Sequence, residues 1–171
     1  MKVINLFGGP GVGKSTIGQE VFVQLKKKHC NCEWVGEFAK DLVWDESFKS
    51  LENQIYIFGV QNHRLSRLKS KIDVAITDAP FINGIIYSKV YNPLDSSNKF
   101  FHQLIHNEYL KYHNINVFIE RETTYQKIGR YQDEANAKLV DAQIIKTLEE
   151  FVIPFKRVGL SDAAKRIIDM L

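Results

Sequence analysis

Lys2-Val3-Ile4-Asn5-Leu6-Phe7-Gly8-Gly9-Pro10-Gly11-Val12-Gly13-Lys14-Ser15-Thr16 joins a short apolar run to a glycine-rich loop. The run is rich in apolar and β-branched residues and stops at Gly8-Gly9, which reads as a buried strand. From Ser15 to His29 the apolar positions Ile17, Val21 and Leu25 recur every four residues, the spacing of a helix. Between them, Gly8 to Ser15 matches G-x-x-x-x-G-K-[ST] in full, the pattern of a phosphate-binding loop. Glycines allow positive φ and let backbone N–H groups converge on phosphate oxygens with no Cβ in the way. A helix that opens there adds free N–H groups and the positive end of its dipole. Gly9, Gly11, Val12, Gly13, Lys14, Ser15 and Thr16 are thus the expected nucleotide-binding residues. Lys14 reaches the β- and γ-phosphates, and the Ser15 hydroxyl ligates Mg²⁺. A chance match somewhere in such a chain has odds of about one per cent, lowered further by the strand before and the helix after. A dinucleotide fingerprint G-x-G-x-x-G fails in both frames, which end on Lys14 and Thr16.

Outward from the loop, apolar runs alternate with helical spacing. Glu33 to Glu37, Asp73 to Thr77 and Asn116 to Glu120 read as further strands, with a fifth near Phe155 to Val158. Leu51, Ile55, Phe58, Leu65 and Leu68 mark one long amphipathic helix whose polar side carries Gln54, Gln61 and Arg64. Phe100 to Tyr112, Glu134 to Phe151 and Ser161 to Leu171 read as helices. Alternating strands and helices predict βαβ units, and runs such as VINLF, VAI and VFI suit parallel strands covered on both faces. The expected fold is a three-layer α/β domain over residues 1–171, with a mostly parallel sheet and helices on both faces. Lys26-Lys27-Lys28 closes the first helix, where cations suit the dipole.

The 171 residues, 44% hydrophobic and 25% charged with a net charge of +3, fit one domain able to bury its own core. Mild basicity suits an anionic substrate, and the 23 Lys and Arg are spread along the chain rather than massed as in a DNA binder. No stretch approaches a membrane span, and the N-terminal apolar run ends in glycines rather than a signal-cleavage site. The expectation is a cytosolic protein. Cys30 and Cys32, beside His29, lack a second pair to complete a tetrahedral metal site, and read as reduced structural thiols.

The magnesium of such a site needs a carboxylate at the end of a neighbouring strand. Asp78 directly follows Asp73-Val74-Ala75-Ile76-Thr77 and lies at the carboxyl rim where ligands bind, whereas Asp73 begins the strand at the wrong end. Glu37, ending the second strand, is placed to accept a proton from an acceptor hydroxyl or to orient it; a solvated loop acid is the competing reading. Asp41 is a weaker candidate. Transfer of a phosphoryl group also needs cations. Residues 121–133, between a strand and a helix and containing Gly129, have the composition of a mobile lid. Arg121 and Arg130 are its leading cationic candidates, followed by Lys127; ion pairing with Glu120 or Glu122 is the alternative role for Arg121.

With GGPGVGKST, GEFAKDLVWDE, QIYIFGVQNHRLSRL, DVAITDAP and GRYQDEANA in order along most of its length, the chain resembles the small P-loop kinases. These include nucleotide kinases and the ribosylnicotinamide-kinase domain, and the likeness extends to a compact group often encoded by bacteriophages. The resemblance implies an ATP-dependent kinase with Lys14 and Ser15 on the nucleotide, Asp78 near the metal, Glu37 near the acceptor and Arg130 in the lid. The third strand ends Thr77-Asp78-Ala79-Pro80 rather than in the Asp-Arg pair of many nucleoside monophosphate kinases, so the acceptor stays open. A nucleotide or nucleoside is the first expectation. A hydroxymethylated pyrimidine within DNA is the second, and a regulatory NTPase that controls a partner is an alternative of another class. A guanine-nucleotide switch is disfavoured because Asn98-Lys99 runs into Phe100-Phe101 instead of completing N-K-x-D. A motor ATPase would need an additional helical lid domain, for which little of the chain remains.

Overall fold

The computed structural model of the protein describes residues 1–91, 98–122 and 134–171. The elements run β1 (Lys2–Phe7), α1 (Lys14–Lys27), β2 (Cys32–Val35), α2 (Phe38–Trp44), α3 (Phe48–Glu52), α4 (Gln54–Ser66), β3 (Val74–Thr77), α5 (Asn83–Tyr91), α6 (Asn98–Tyr109), β4 (His113–Ile119), α7 (Glu134–Glu150), β5 (Lys156–Val158) and α8 (Ala163–Ile168). The five strands form one sheet in the order β2-β3-β1-β4-β5, and every neighbouring pair is parallel. The phosphate-loop strand therefore sits at the centre, with β3 on one side and β4 on the other.

Side chains of β1 alternate between two cores, as the pleat requires. Val3 and Phe7 join Phe58, Ile82, Ile85, Ile105, Val140 and Leu148, so α4, α5, α6 and α7 cover one face. Ile4 and Leu6 join Ile17, Val21, Leu25, Ala163 and Ile167, so α1 and α8 cover the other. The expected three-layer architecture, the P-loop α/β fold, is the one observed.

Within it several expectations are corrected. The single long helix from Leu51 is two helices, because Asn53 stops α3 and caps α4, its Oδ1 accepting from the Tyr56 N–H at 3.0 Å. The buried face of α4 is also different: Gln54, Phe58, Gln61 and Leu65 are buried while Ile55 is 67% exposed. The two glutamines go inward because their amides find backbone partners: Gln54 donates to the Leu51 carbonyl, and Gln61 bonds both the Phe38 N–H and the Gly36 carbonyl. Strand β4 begins earlier than expected, at His113, since Lys2 to Phe7 of β1 pairs in register with His113 to Phe118. Strand β2 ends at Val35, which puts Glu37 beyond the strand at the N-cap of α2.

Candidate active site

The loop between β1 and α1 has its glycines where only glycine is at ease. Gly8, Gly11 and Gly13 have φ of 143°, 86° and 94°. Helix α1 opens at Lys14 behind Gly13, with no side-chain cap and no acidic residue in its first turn. Its leading N–H groups and positive dipole end are left for an anion. Val12 is buried in the α1 face of the core and anchors the loop, while Gly11, Gly13, Lys14, Ser15 and Thr16 line a cavity of about 320 Å³. The Lys14 ammonium lies over the loop, donating to the Gly8 carbonyl at 2.6 Å and the Gly9 carbonyl at 3.1 Å. Burial pushes its pKa below the usual lysine value, opposed by the nearby carboxylates of Glu37, Asp78 and Asp141.

Asp78 follows β3, the strand beside β1, so its carboxylate reaches the loop from the adjacent rim. The Ser15 hydroxyl donates to Asp78 Oδ2. Asp78 is 3% exposed, and its Oδ1 is buried without a hydrogen-bond partner among the described residues. A buried carboxylate oxygen left over beside a serine hydroxyl is a hard oxygen donor set, and it fits Mg²⁺. Asp73 lies at the other end of the strand, its carbonyl accepting from the Lys2 N–H at 2.8 Å.

Glu37 lines the same cavity as Lys14 and Ser15. Burial raises its carboxyl to about 7, with the Lys14 ammonium pulling the other way and Asp78 adding to the rise. That value is suited to a proton acceptor at neutral pH. Asp41 is spent elsewhere: it pairs with Arg64 at 2.6 Å and is half exposed. Beyond Glu37 the cavity runs between α2, α3, α4 and α5, where Phe38, Trp44, Phe58, Phe81 and Tyr87 give it aromatic walls and Gln54 and Asn83 give it amides.

Arg121, just past β4, bonds the Pro10 carbonyl through Nη1 at 3.0 Å and Asp141 through Nε at 2.8 Å. Among the described residues its ion pair is with Asp141 of α7, and not with Glu120 or Glu122, the alternative the sequence offers. Glu122 instead accepts from the Leu160 N–H. The other oxygen of Asp141 accepts from the Gly9 N–H, so that amide of the loop is already engaged. Arg130, Lys127 and all but the first two residues of the expected lid lie outside the described residues.

Three parts of the site escaped the sequence. Helices α2 and α5 carry no clear period, being short and apolar on more than one side, so the walls they supply were invisible. Gln54 and Gln61 read as solvent-facing because polarity alone does not reveal a satisfied buried amide. Asp141 is one acid in a polar helix, and only the packing of α7 against the loop singles it out: a Cβ on Gly9 would lie 2.5 Å from the Ala137 carbonyl.

Comparisons with known proteins agree with this architecture. Among solved structures, the NadR protein in complex with NR superimposes with a TM-score of 0.74 at 18% identity over 99% of this chain. The chain spans about half the length of that protein, 50%. Deoxyadenosine kinase from M. mycoides with bound dATP superimposes with a TM-score of 0.63 at 20% identity, over 99% of this chain and 96% of that one. The same enzyme with bound dCTP gives 0.63 at 18% identity, over 99% and 98%. A search of curated proteins by sequence found no match. Among the described residues no helix is long and apolar enough to cross a membrane. The family described as AAA domain matches residues 3–166, from β1 into α8 and so across all three layers. The chain belongs to that AAA-domain family and carries its phosphate-binding loop on a five-stranded parallel P-loop fold.

Proposed function

We propose that the protein is an ATP-dependent kinase that transfers the γ-phosphate of Mg-ATP to a hydroxyl group of a nucleoside. The observation that carries this reading is the placement of Glu37. A half-buried carboxyl raised to about 7 opens on the same cavity as Lys14 and Ser15, and an aromatic chamber lies beyond it. The cavity's volume of about 320 Å³ is that of a small-molecule site.

The loop amides and Lys14 hold the triphosphate, and Ser15 with Asp78 would hold the Mg²⁺. When bound, that ion neutralises charge on the phosphates. The acceptor hydroxyl gives its proton to Glu37 as its oxygen bonds the γ-phosphorus. The bond from that phosphorus to the β–γ bridging oxygen breaks, and ADP leaves. Arg121, and Arg130 by resemblance, supply cations to the transferring group. The aromatic walls suit a flat base, and the amides of Gln54 and Asn83 suit its polar edge.

The charge balance favours a nucleoside over a nucleoside monophosphate. On the acceptor side, Lys40 is the one cation lining the cavity among the described residues. Arg64 is committed to Asp41 and to the Gly36 carbonyl. A phosphate dianion there would meet Glu37 with no arginine clamp among the described residues. The likeness to proteins solved with NR and described as deoxyadenosine kinase supports the same class.

The test is incubation with γ-labelled ATP and a panel of nucleosides, ribosylnicotinamide, nucleoside monophosphates and DNA containing hydroxymethylated pyrimidines. Label is expected on a nucleoside, and Lys14→Ala should lower that transfer by about 10²–10³ or more. Label on monophosphates alone or on DNA overturns the nucleoside reading. Hydrolysis with no acceptor labelled favours a regulatory NTPase.

A further inference from the structure

Arg121 is held at two of its three nitrogens, and the third is idle. Nε is fixed by Asp141 and Nη1 by the Pro10 carbonyl, while Nη2 is buried with no partner among the described residues. A guanidinium is planar, so two anchored nitrogens set the direction of the third. A Cβ built on Gly9 would lie 3.0 Å from that Nη2, which places the idle donor against the phosphate loop. An unpaired, buried, charged donor is costly, and the structure retains it beside the seat of a polyanion.

Asp141 organises this arrangement. One carboxylate oxygen takes the Gly9 N–H and the other takes Arg121 Nε. The ion pair is largely buried, with side-chain exposures of 13% for Arg121 and 17% for Asp141. Replacing Gly9 by any larger residue would drive a Cβ to 2.8 Å from Asp141 Oδ1, so loop and carboxylate are in close contact.

We propose that Asp141 is a positioning residue that acts through Arg121: it locks the guanidinium so that Nη2 meets the phosphates of the bound nucleotide. This deepens the kinase reading, in that it rests on a triphosphate occupying the loop. Asp141 itself touches no substrate.

The experiment measures Mg-ATP affinity by calorimetry, and transfer kinetics, for wild type, Arg121→Ala, Asp141→Ala and the double variant. If Asp141 works through Arg121, each single change weakens Mg-ATP binding about tenfold or more, and the double variant is no weaker than Arg121→Ala alone. Losses that multiply in the double variant overturn the proposal. Asp141→Asn keeps an acceptor for the Gly9 N–H and loses the charge that anchors Arg121. It should retain most of the thermal stability yet bind Mg-ATP as poorly as Asp141→Ala; wild-type affinity in Asp141→Asn also overturns the proposal. If Asp141→Ala does not fold, Asp141→Asn with and without Arg121→Ala supplies the same comparison. A wild-type protein that binds Mg-ATP and labels no acceptor removes the kinase reading alone, because the affinity comparison still decides the role of Asp141. A wild-type protein that ignores Mg-ATP removes both.

Discussion

In the proposed kinase, Glu37 is a side chain expected to tie pH to both stability and rate. Its carboxyl is raised from an ordinary 4.5 to about 7, chiefly by burial. Between those values the folded protein keeps a proton that the unfolded chain has released. The stability contributed by this group is therefore full below about pH 4.5 and is lost as pH climbs through about 7. Proton abstraction needs the opposite form, so kcat/KM should rise with pH through an inflection near 7. Glu37→Gln should remove that inflection, lower transfer by about 10²–10⁴ and flatten the pH dependence of stability. A pH–rate profile of the variant that keeps the inflection would move the role to another group. Residue type and motif made Lys14, Ser15 and Asp78 legible in the sequence. Glu37 was legible only as an acid near a strand end, since its surroundings depend on α2 and on the α4 glutamine bonded to the Phe38 N–H.

At the scale of elements, two glycines in helices test how α1 and α4 are packed. Gly18 lies in the buried face of α1, where an added Cβ would sit 2.4 Å from Trp34 Cζ3 and 2.8 Å from Leu6 Cδ1. Alanine gains about 1 kcal/mol of helix propensity there but overpacks the helix–sheet contact by about 1–3 kcal/mol. Gly59 in α4 has nothing within 4 Å of such a Cβ. Urea unfolding should thus show Gly59→Ala stabilised by up to about 1 kcal/mol and Gly18→Ala unchanged to about 2 kcal/mol less stable. A clear gain in stability for Gly18→Ala would mean that α1 does not approach β2 this closely. The sequence period matches the buried face of α1, where Ile17, Val21 and Leu25 are buried, but not that of α4, which buries glutamines and exposes Ile55.

For the whole molecule, binding energy should appear as stability. A ligand present at about 100-fold its Kd stabilises the folded state by about 2.7 kcal/mol. For a chain of 171 residues, that is a rise in Tm of roughly 5–10 °C. Mg-ATP should raise Tm by that amount in wild type, and EDTA should reduce the rise. In Lys14→Ala the rise should vanish while the ligand-free Tm stays within a few degrees, because burial already disfavours the Lys14 charge. A ligand-free Tm that collapses in this variant would make Lys14 a structural residue.

The order of apolar runs and the eight-residue loop from Gly8 to Ser15 were enough, read as a string, to determine a parallel α/β sheet with a polyphosphate seat at its rim. Both are local: strand, turn and helix are contiguous, and glycine conformation and helix dipole act over a few residues. The aromatic-walled cavity, the inward turn of Gln54 and Gln61, and the Asp141–Arg121 pair on the loop were decided only by tertiary structure. Each depends on groups far apart in sequence whose burial changes their chemistry: a glutamine becomes a core residue once its amide is bonded, and an aspartate becomes part of the site once α7 packs against Gly9.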